Sequence, residues 1–143
     1  MNRTYEFLGM IVGKAIYEGY LIPASFSRFF LKKILGKKNT IDDLQYLNKQ
    51  VYKNLIELKH NEDVKSVGLT FSIDSHILGE SRTHLLLPNG DNIEVTKENL
   101  YQYISLYADL LLNKQIEFQT VAFKKGFCLM IPSEFLQMFN NVI

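Results

Sequence analysis

The stretch Gly68-Leu69-Thr70-Phe71-Ser72-Ile73-Asp74 is where the chain changes its periodicity. Leu69, Phe71 and Ile73 alternate with Thr70, Ser72 and Asp74. That period of two marks a half-buried strand over residues 68–74. On either side the apolar residues recur three and four positions apart, which is the spacing of a helical face. The contrast decides the fold class: helices, then a short antiparallel patch, then helices. That order predicts a mostly helical α+β fold with a small antiparallel β-hairpin or sheet.

Toward the C-terminus, residues 84–87 and 93–95 flank Pro88-Asn89-Gly90-Asp91. Asn-Gly between two apolar runs predicts a hairpin, because both residues accept positive φ. Thr96 is the expected cap of the next helix, with Glu98 at its positive end. Leu100, Tyr103, Ile104, Tyr107 and Leu111 carry that helix. Residues 115–130 follow on Ile116, Phe123 and Phe127. Pro132 stops them, and residues 133–139 read as a last short helix. The sheet needs a cover, which falls to the helices ending near Leu58 and starting near Lys97.

Toward the N-terminus, Val51, Leu55 and Leu58 share one face of a helix that Asn48 could cap. Thr40 with Asp43 resembles a capping box. Residues 25–35 form a helix on Phe26, Phe29, Phe30 and Ile34, capped by Ser25 and ended by Gly36. Residues 5–19 form the first helix, on Leu8, Ile11, Val12, Ala15 and Ile16. Within it Gly9 and Gly13 lie one turn apart and would let another element approach closely.

The 143 residues suit one ordinary domain, and 47% hydrophobic content is enough for a sizeable core. A formal net charge of +1 argues against a protein that works mainly on nucleic acid. One cysteine, Cys128, cannot build a disulfide framework or a Cys-based zinc site, so the chain reads as intracellular. No signal peptide and no membrane span fit the sequence. The expected location is cytoplasmic, nuclear or both.

Reacting groups are scarce. Cys128 sits in a helical pattern beside Phe127, Leu129 and Met130, where a thiol is usually core rather than activated. His60, His76 and His84 have no partner at a metal-ligand spacing, and no metal or cofactor is expected. Asp42-Asp43 and Glu62-Asp63 are adjacent pairs, not a spaced acid and base. Lys32, Lys33, Lys37 and Lys38 cluster near a helix end, where they suit the helix dipole. The residues alone specify a folded module whose function lies in an interaction surface.

The order and spacing of several short segments add a resemblance. Residues 7–19, Phe7-Leu8-Gly9-Met10-Ile11-Val12-Gly13-Lys14-Ala15-Ile16-Tyr17-Glu18-Gly19, are similar to an FLGxxxGKAxxEG segment. Phe29-Phe30-Leu31-Lys32-Lys33-Ile34-Leu35-Gly36, Asp42-Asp43-Leu44 and Val51-Tyr52-Lys53-Asn54-Leu55 follow in order. Leu87-Pro88-Asn89-Gly90, Ile93-Glu94-Val95-Thr96-Lys97-Glu98-Asn99 and Phe135-Leu136-Gln137-Met138-Phe139 complete the series. Together they resemble the HECT domain of ubiquitin ligases over nearly the whole chain.

The resemblance implies a mechanism. Such a ligase takes ubiquitin from a conjugating enzyme as a thioester on its own cysteine, then passes it to a substrate lysine. The cysteine belongs to a C-terminal lobe, expected to be absent here, so no residue of this chain is expected to be catalytic. Residues 1–143 would be part of the N-terminal lobe, and roughly 37–110 the subdomain that binds the conjugating enzyme. Its groove would use Val51, Asn54 and Leu55 on one helix, Val67 and Leu69 at the strand start, and Tyr103 on the following helix. Periodicity alone leaves Val51 and Leu55 open to a core role. The loop 60–66 departs from the family in being short and mixed in charge. Implied partners are a ubiquitin-conjugating enzyme, ubiquitin as its thioester, and a protein substrate held by other regions, with neither nucleic acid nor membrane. The alternative is a stand-alone interaction or structural module.

Overall fold

The computed structural model describes residues 2–20, 26–77 and 80–136. Seven α-helices and one two-stranded antiparallel sheet are found among them, so the fold is α+β and mostly helical. The chain divides into two compact units. One is Thr40–Leu111; the other joins Met1–Asn39 to Leu112–Ile143.

In the discontinuous unit, helix α1 (Asn2–Tyr17) packs along helix α6 (Glu117–Met130). Glycine makes the approach possible. A Cβ on Gly9 would overlap the Phe123 carbonyl, and one on Gly126 would overlap the Glu6 carbonyl. On Gly13 it would stand 2.9 Å from the Met130 Cβ. Lys125 and Glu6 close the same seam with an ion pair of 3.0 Å. The spacing of Gly9 and Gly13 implies a close partner, and α6 is that partner.

Helix α2 (Arg28–Ile34) lies against α6. Its start is later than the sequence suggests: Ser27 is the cap residue, and Ser25 falls outside the described residues. Gly36 takes φ +73° beyond its end, a left-handed turn that L side chains resist. Ile34, Phe123, Phe127, Ile131 and Leu136 form the buried cluster, with Phe26, Phe30 and Cys128 packed against it. Helix α7 (Ser133–Leu136) follows Pro132, and the remainder of the predicted 133–139 helix lies outside the described residues.

The unit Thr40–Leu111 begins with a capping box. The Asp43 carboxylate accepts the Thr40 N–H at 2.9 Å at the head of a 3₁₀ turn, Ile41–Asp43. Short helix α3 (Leu44–Leu47) leads to helix α4 (Lys49–His60). Asn48 caps α4 as the sequence suggests: its Oδ1 accepts the Val51 N–H at 3.1 Å. A second 3₁₀ turn, Lys65–Val67, ends at Gly68 with φ +70°.

The strands depart from the sequence reading. Strand β1 (Ser72–Ile77) begins four residues later than expected and pairs with β2 (Glu80–Leu85), in the register Ser72 to Leu85. Asn89-Gly90 therefore lies beyond the hairpin and does not form its turn. The segment before β1 pairs elsewhere: the Phe71 N–H donates to the Ile93 carbonyl at 3.0 Å, and the Val95 N–H to the Leu69 carbonyl at 2.8 Å. A single antiparallel bridge links Thr70 and Glu94. Asn89 does take positive φ (55°), but Gly90 opens a 3₁₀ turn, Gly90–Asn92, instead of a two-residue hairpin. Gly90 is needed there for space, since a Cβ would overlap the Phe71 carbonyl.

Helix α5 (Leu100–Asp109) also starts later than expected. Its cap residue is Asn99, not Thr96. The Thr96 N–H donates to Asn99 Oδ1 at 2.7 Å, and Asn99 Nδ2 donates back to the Glu94 carbonyl at 2.9 Å. Thr96 instead hydrogen-bonds Glu98 through its side chain, which lowers that carboxyl's pKa. Leu100, Tyr103 and Ile104 are buried, and a π-helical turn, Leu110–Lys114, carries the chain on toward α6. Phe71 is fully buried beneath α5, its ring edge-on to Tyr103 at 5.5 Å.

Candidate docking surface

Position on α4 sorts three of the six expected groove residues. Val51, Asn54 and Leu55 are three and four apart and so share one face. Leu55 is 3% exposed, Val51 is half-buried and Asn54 is exposed. Burial thus fades across the face, and Val51 stands at its edge. Asn54 Oδ1 accepts a hydrogen bond from Gln50 Nε2 at 2.8 Å along the helix. The open choice between core and groove divides here: Leu55 is core, and Val51 reaches the surface.

Val67 and Leu69 lie either side of Gly68. Its left-handed backbone turns the chain sharply between them. Val67 is 47% exposed and Leu69 half-buried. The Leu69 backbone is fixed by Val95, so this apolar pair is held by backbone pairing and not by a loose loop.

Tyr103 is 4% exposed. Its ring packs edge-on against both Phe71 and Tyr107, the latter at 5.9 Å. Burial, with the Tyr107 hydroxyl nearby, pushes its phenol from 10.0 up to about 12. Of the six, Tyr103 and Leu55 are therefore buried, Val67 and Asn54 are exposed, and Val51 and Leu69 are half-buried.

Tyr101 is absent from the groove residues that the sequence suggests. It is 68% exposed at the start of α5, and the Lys59 ammonium from the end of α4 sits 5.7 Å above its ring. A signal for it exists: Leu100, Tyr103, Ile104 and Tyr107 define the inward face, and Tyr101 falls off it. An aromatic left outside the core period is a surface aromatic, and such residues are enriched at interfaces.

No reacting set converges among the described residues. No group of three or more His, Cys, Asp or Glu among them could hold a metal. Cys128 is half-buried near the C-terminal end of α6 against an apolar cluster. His84 Nε2 and Ser75 Oγ are 3.0 Å apart across the hairpin, but no third described group orients the imidazole. An apolar cavity of about 270 Å³ between Val12, Phe26, Phe30, Phe127 and Leu136 offers no polar group to direct a reaction. No described helix is long and apolar enough to cross a membrane.

Comparison with known proteins gives the class to which this fold belongs. The family description "HECT-domain (ubiquitin-transferase)" matches residues 1–142. The chain belongs to the HECT-domain family. It is 38% identical over 145 residues to the human "Ubiquitin-protein ligase E3B" and 42% identical over 141 residues to a probable E3 ubiquitin protein ligase of Schizosaccharomyces pombe. It is 39% identical over 140 residues to the "E3 ubiquitin-protein ligase UPL6" of Arabidopsis thaliana. Each alignment covers 97% of this chain and 14% of the relative. The chain thus spans about one seventh of the length of these relatives.

Proposed function

We propose that this chain is the part of a HECT-type ubiquitin ligase that docks a ubiquitin-conjugating enzyme, through the unit Thr40–Leu111. Ubiquitin would then pass from the conjugating enzyme to a cysteine in a C-terminal lobe outside this sequence, and from there to a substrate lysine bound by other regions. Cys128 takes no part, and the chain alone forms no ubiquitin thioester. The setting is the cytoplasm or nucleus.

One observation carries the docking reading: apolar Val67 is 47% exposed beside Gly68 and Leu69, where the Leu69 carbonyl accepts the Val95 N–H. An open apolar side chain and an exposed aromatic, Tyr101, in the same unit suit a small, transient interface anchored by one apolar side chain of the partner. The polar rim comes from Asn54, Lys53 and Glu57, the last two paired at 3.7 Å along α4.

The test is a heteronuclear NMR titration of the chain with a panel of conjugating enzymes. Shifts should cluster on Val51, Asn54, Val67, Leu69 and Tyr101. Val67→Asp should weaken binding about tenfold or more while leaving the free spectrum folded, because its side chain is already half in water. A folded Val67→Asp variant with unaltered affinity would remove Val67 from the interface. A wild-type spectrum unmoved by every enzyme would leave the stand-alone structural module as the better reading.

A further inference from the structure

Asn89-Gly90 is the single Asn-Gly pair of the chain, and the docking surface makes no use of it. An asparagine before glycine is chemically labile. The glycine amide nitrogen can attack the asparagine side-chain carbonyl carbon, because glycine has no side chain to obstruct the approach. A C–N bond forms, ammonia leaves, and a cyclic succinimide results. Water then opens the ring at either carbonyl. One opening gives aspartate; the other gives an iso-aspartyl linkage, in which the side-chain methylene has entered the main chain.

The fold holds this pair in a geometry that blocks the attack. Asn89 is exposed, so its side chain is not what is shielded. Its ψ of 29° sets the Gly90 nitrogen nearly opposite the Asn89 Cβ, whereas ring closure needs the two eclipsed. The Gly90 N–H donates to the Leu87 carbonyl at 2.9 Å, so the attacking nitrogen keeps its proton in a hydrogen bond. The Asn89 carbonyl accepts the Asn92 N–H at 3.0 Å, and the Gly90 carbonyl accepts the Ile93 N–H at 3.2 Å. Rotating the Asn89 backbone into a reactive position breaks these bonds, so only an opened turn reacts.

The iso-aspartyl product does not fit back. It lengthens the main chain by one methylene directly before Gly90. Gly90 is buried, and even a Cβ there would overlap the Phe71 carbonyl. Phe71 has no freedom to yield: its carbonyl accepts the Leu86 N–H at 2.8 Å, and its N–H donates to the Ile93 carbonyl.

We propose that Asn89 is a guarded deamidation site. The folded turn suppresses succinimide formation, transient opening permits it, and the iso-aspartyl product keeps the turn from closing again. A reversible opening thereby becomes a permanent covalent mark on the inserted unit. This holds whether or not that unit docks a conjugating enzyme.

The test incubates the 143-residue chain at mildly alkaline pH, native and unfolded in urea, and follows Asn89 by peptide mass spectrometry. Native conversion should be at least about tenfold slower than unfolded conversion, because it tracks the population of the opened turn. Equal rates in the two states would overturn the guarding. Chains converted in urea are then refolded, and the aspartyl and iso-aspartyl forms are separated. The aspartyl form should unfold at the denaturant midpoint of an Asn89→Asp variant. The iso-aspartyl form should unfold at a clearly lower midpoint or fail to refold. An iso-aspartyl chain with the midpoint of Asn89→Asp would overturn the claim that the product keeps the turn open.

Discussion

At the scale of single residues, Gly126 and Tyr103 show how much rests on one atom or one proton. Gly126 faces the Glu6 carbonyl with no room for a Cβ. Gly126→Ala must push α1 and α6 apart along their seam, and the expected loss is about 1–3 kcal/mol, read as a lower denaturant midpoint. Gly19→Ala is the control. A methyl group on Gly19 would meet no atom within 4 Å, so its φ of +75° leaves only the left-handed backbone cost of about 1 kcal/mol. Tyr103 supplies a pH signature. Its folded phenol is raised to about 12 against an ordinary 10.0, chiefly by burial. Well below pH 10 it is protonated in both states and contributes no slope. Between pH 10 and 12 the unfolded chain ionises first, so stability falls as pH rises. Tyr103→Phe should flatten that fall in denaturant titrations, with Tyr107, also raised by burial, leaving a residual slope.

At the scale of elements, caps and strands differ in how far local sequence determines them. Asn48→Ala removes the acceptor of the Val51 N–H, and the expected cost is about 1 kcal/mol of unfolding free energy, whereas Asn48→Asp restores it. This cap, the Thr40 and Asp43 box, and the faces of α5 and α6 are legible because each is set by residues three or four apart, whereas on α1 the expected face leaves Leu8, Ile11 and Ile16 exposed and the buried side is that of Gly9 and Gly13. The β-region is not. Asn89-Gly90 carries the usual hairpin chemistry, yet Gly90 is required by its closeness to the Phe71 carbonyl, a contact made nineteen positions away. Phe71 itself is legible as an inward residue from its alternation. Its backbone partners, Ile93 on one side and Leu86 on the other, depend on register, which local sequence specifies weakly. The start of α5 shifts for a similar reason: Asn99 bridges Thr96 and Glu94, and this bond competes with the Thr96 cap that composition suggests. Among candidate site residues, helical spacing names the right face of α4 but cannot tell Leu55, inside, from Val51, at the margin. That difference is set by what lies opposite the helix.

At the scale of the whole molecule, one unit is a continuous stretch inserted into the sequence of the other. Thr40–Leu111 has its own buried side chains in Leu44, Leu58, Phe71, Val95 and Leu100, and its strands pair with each other. Expressed alone, residues 40–111 should fold cooperatively, with a dispersed amide spectrum and a single unfolding transition. A collapsed spectrum would show that the insertion depends on the flanking segments. The complementary pieces cannot behave alike, because the partner of α1 is α6, which begins a hundred residues later. At a synthesis rate of roughly 5–20 residues per second, a nascent α1 spends about 5–25 s with its glycine seam unfilled while the inserted unit emerges and folds first. The inserted unit is therefore finished before the unit that encloses it, and for those seconds α1 should be cargo for a ribosome-associated chaperone.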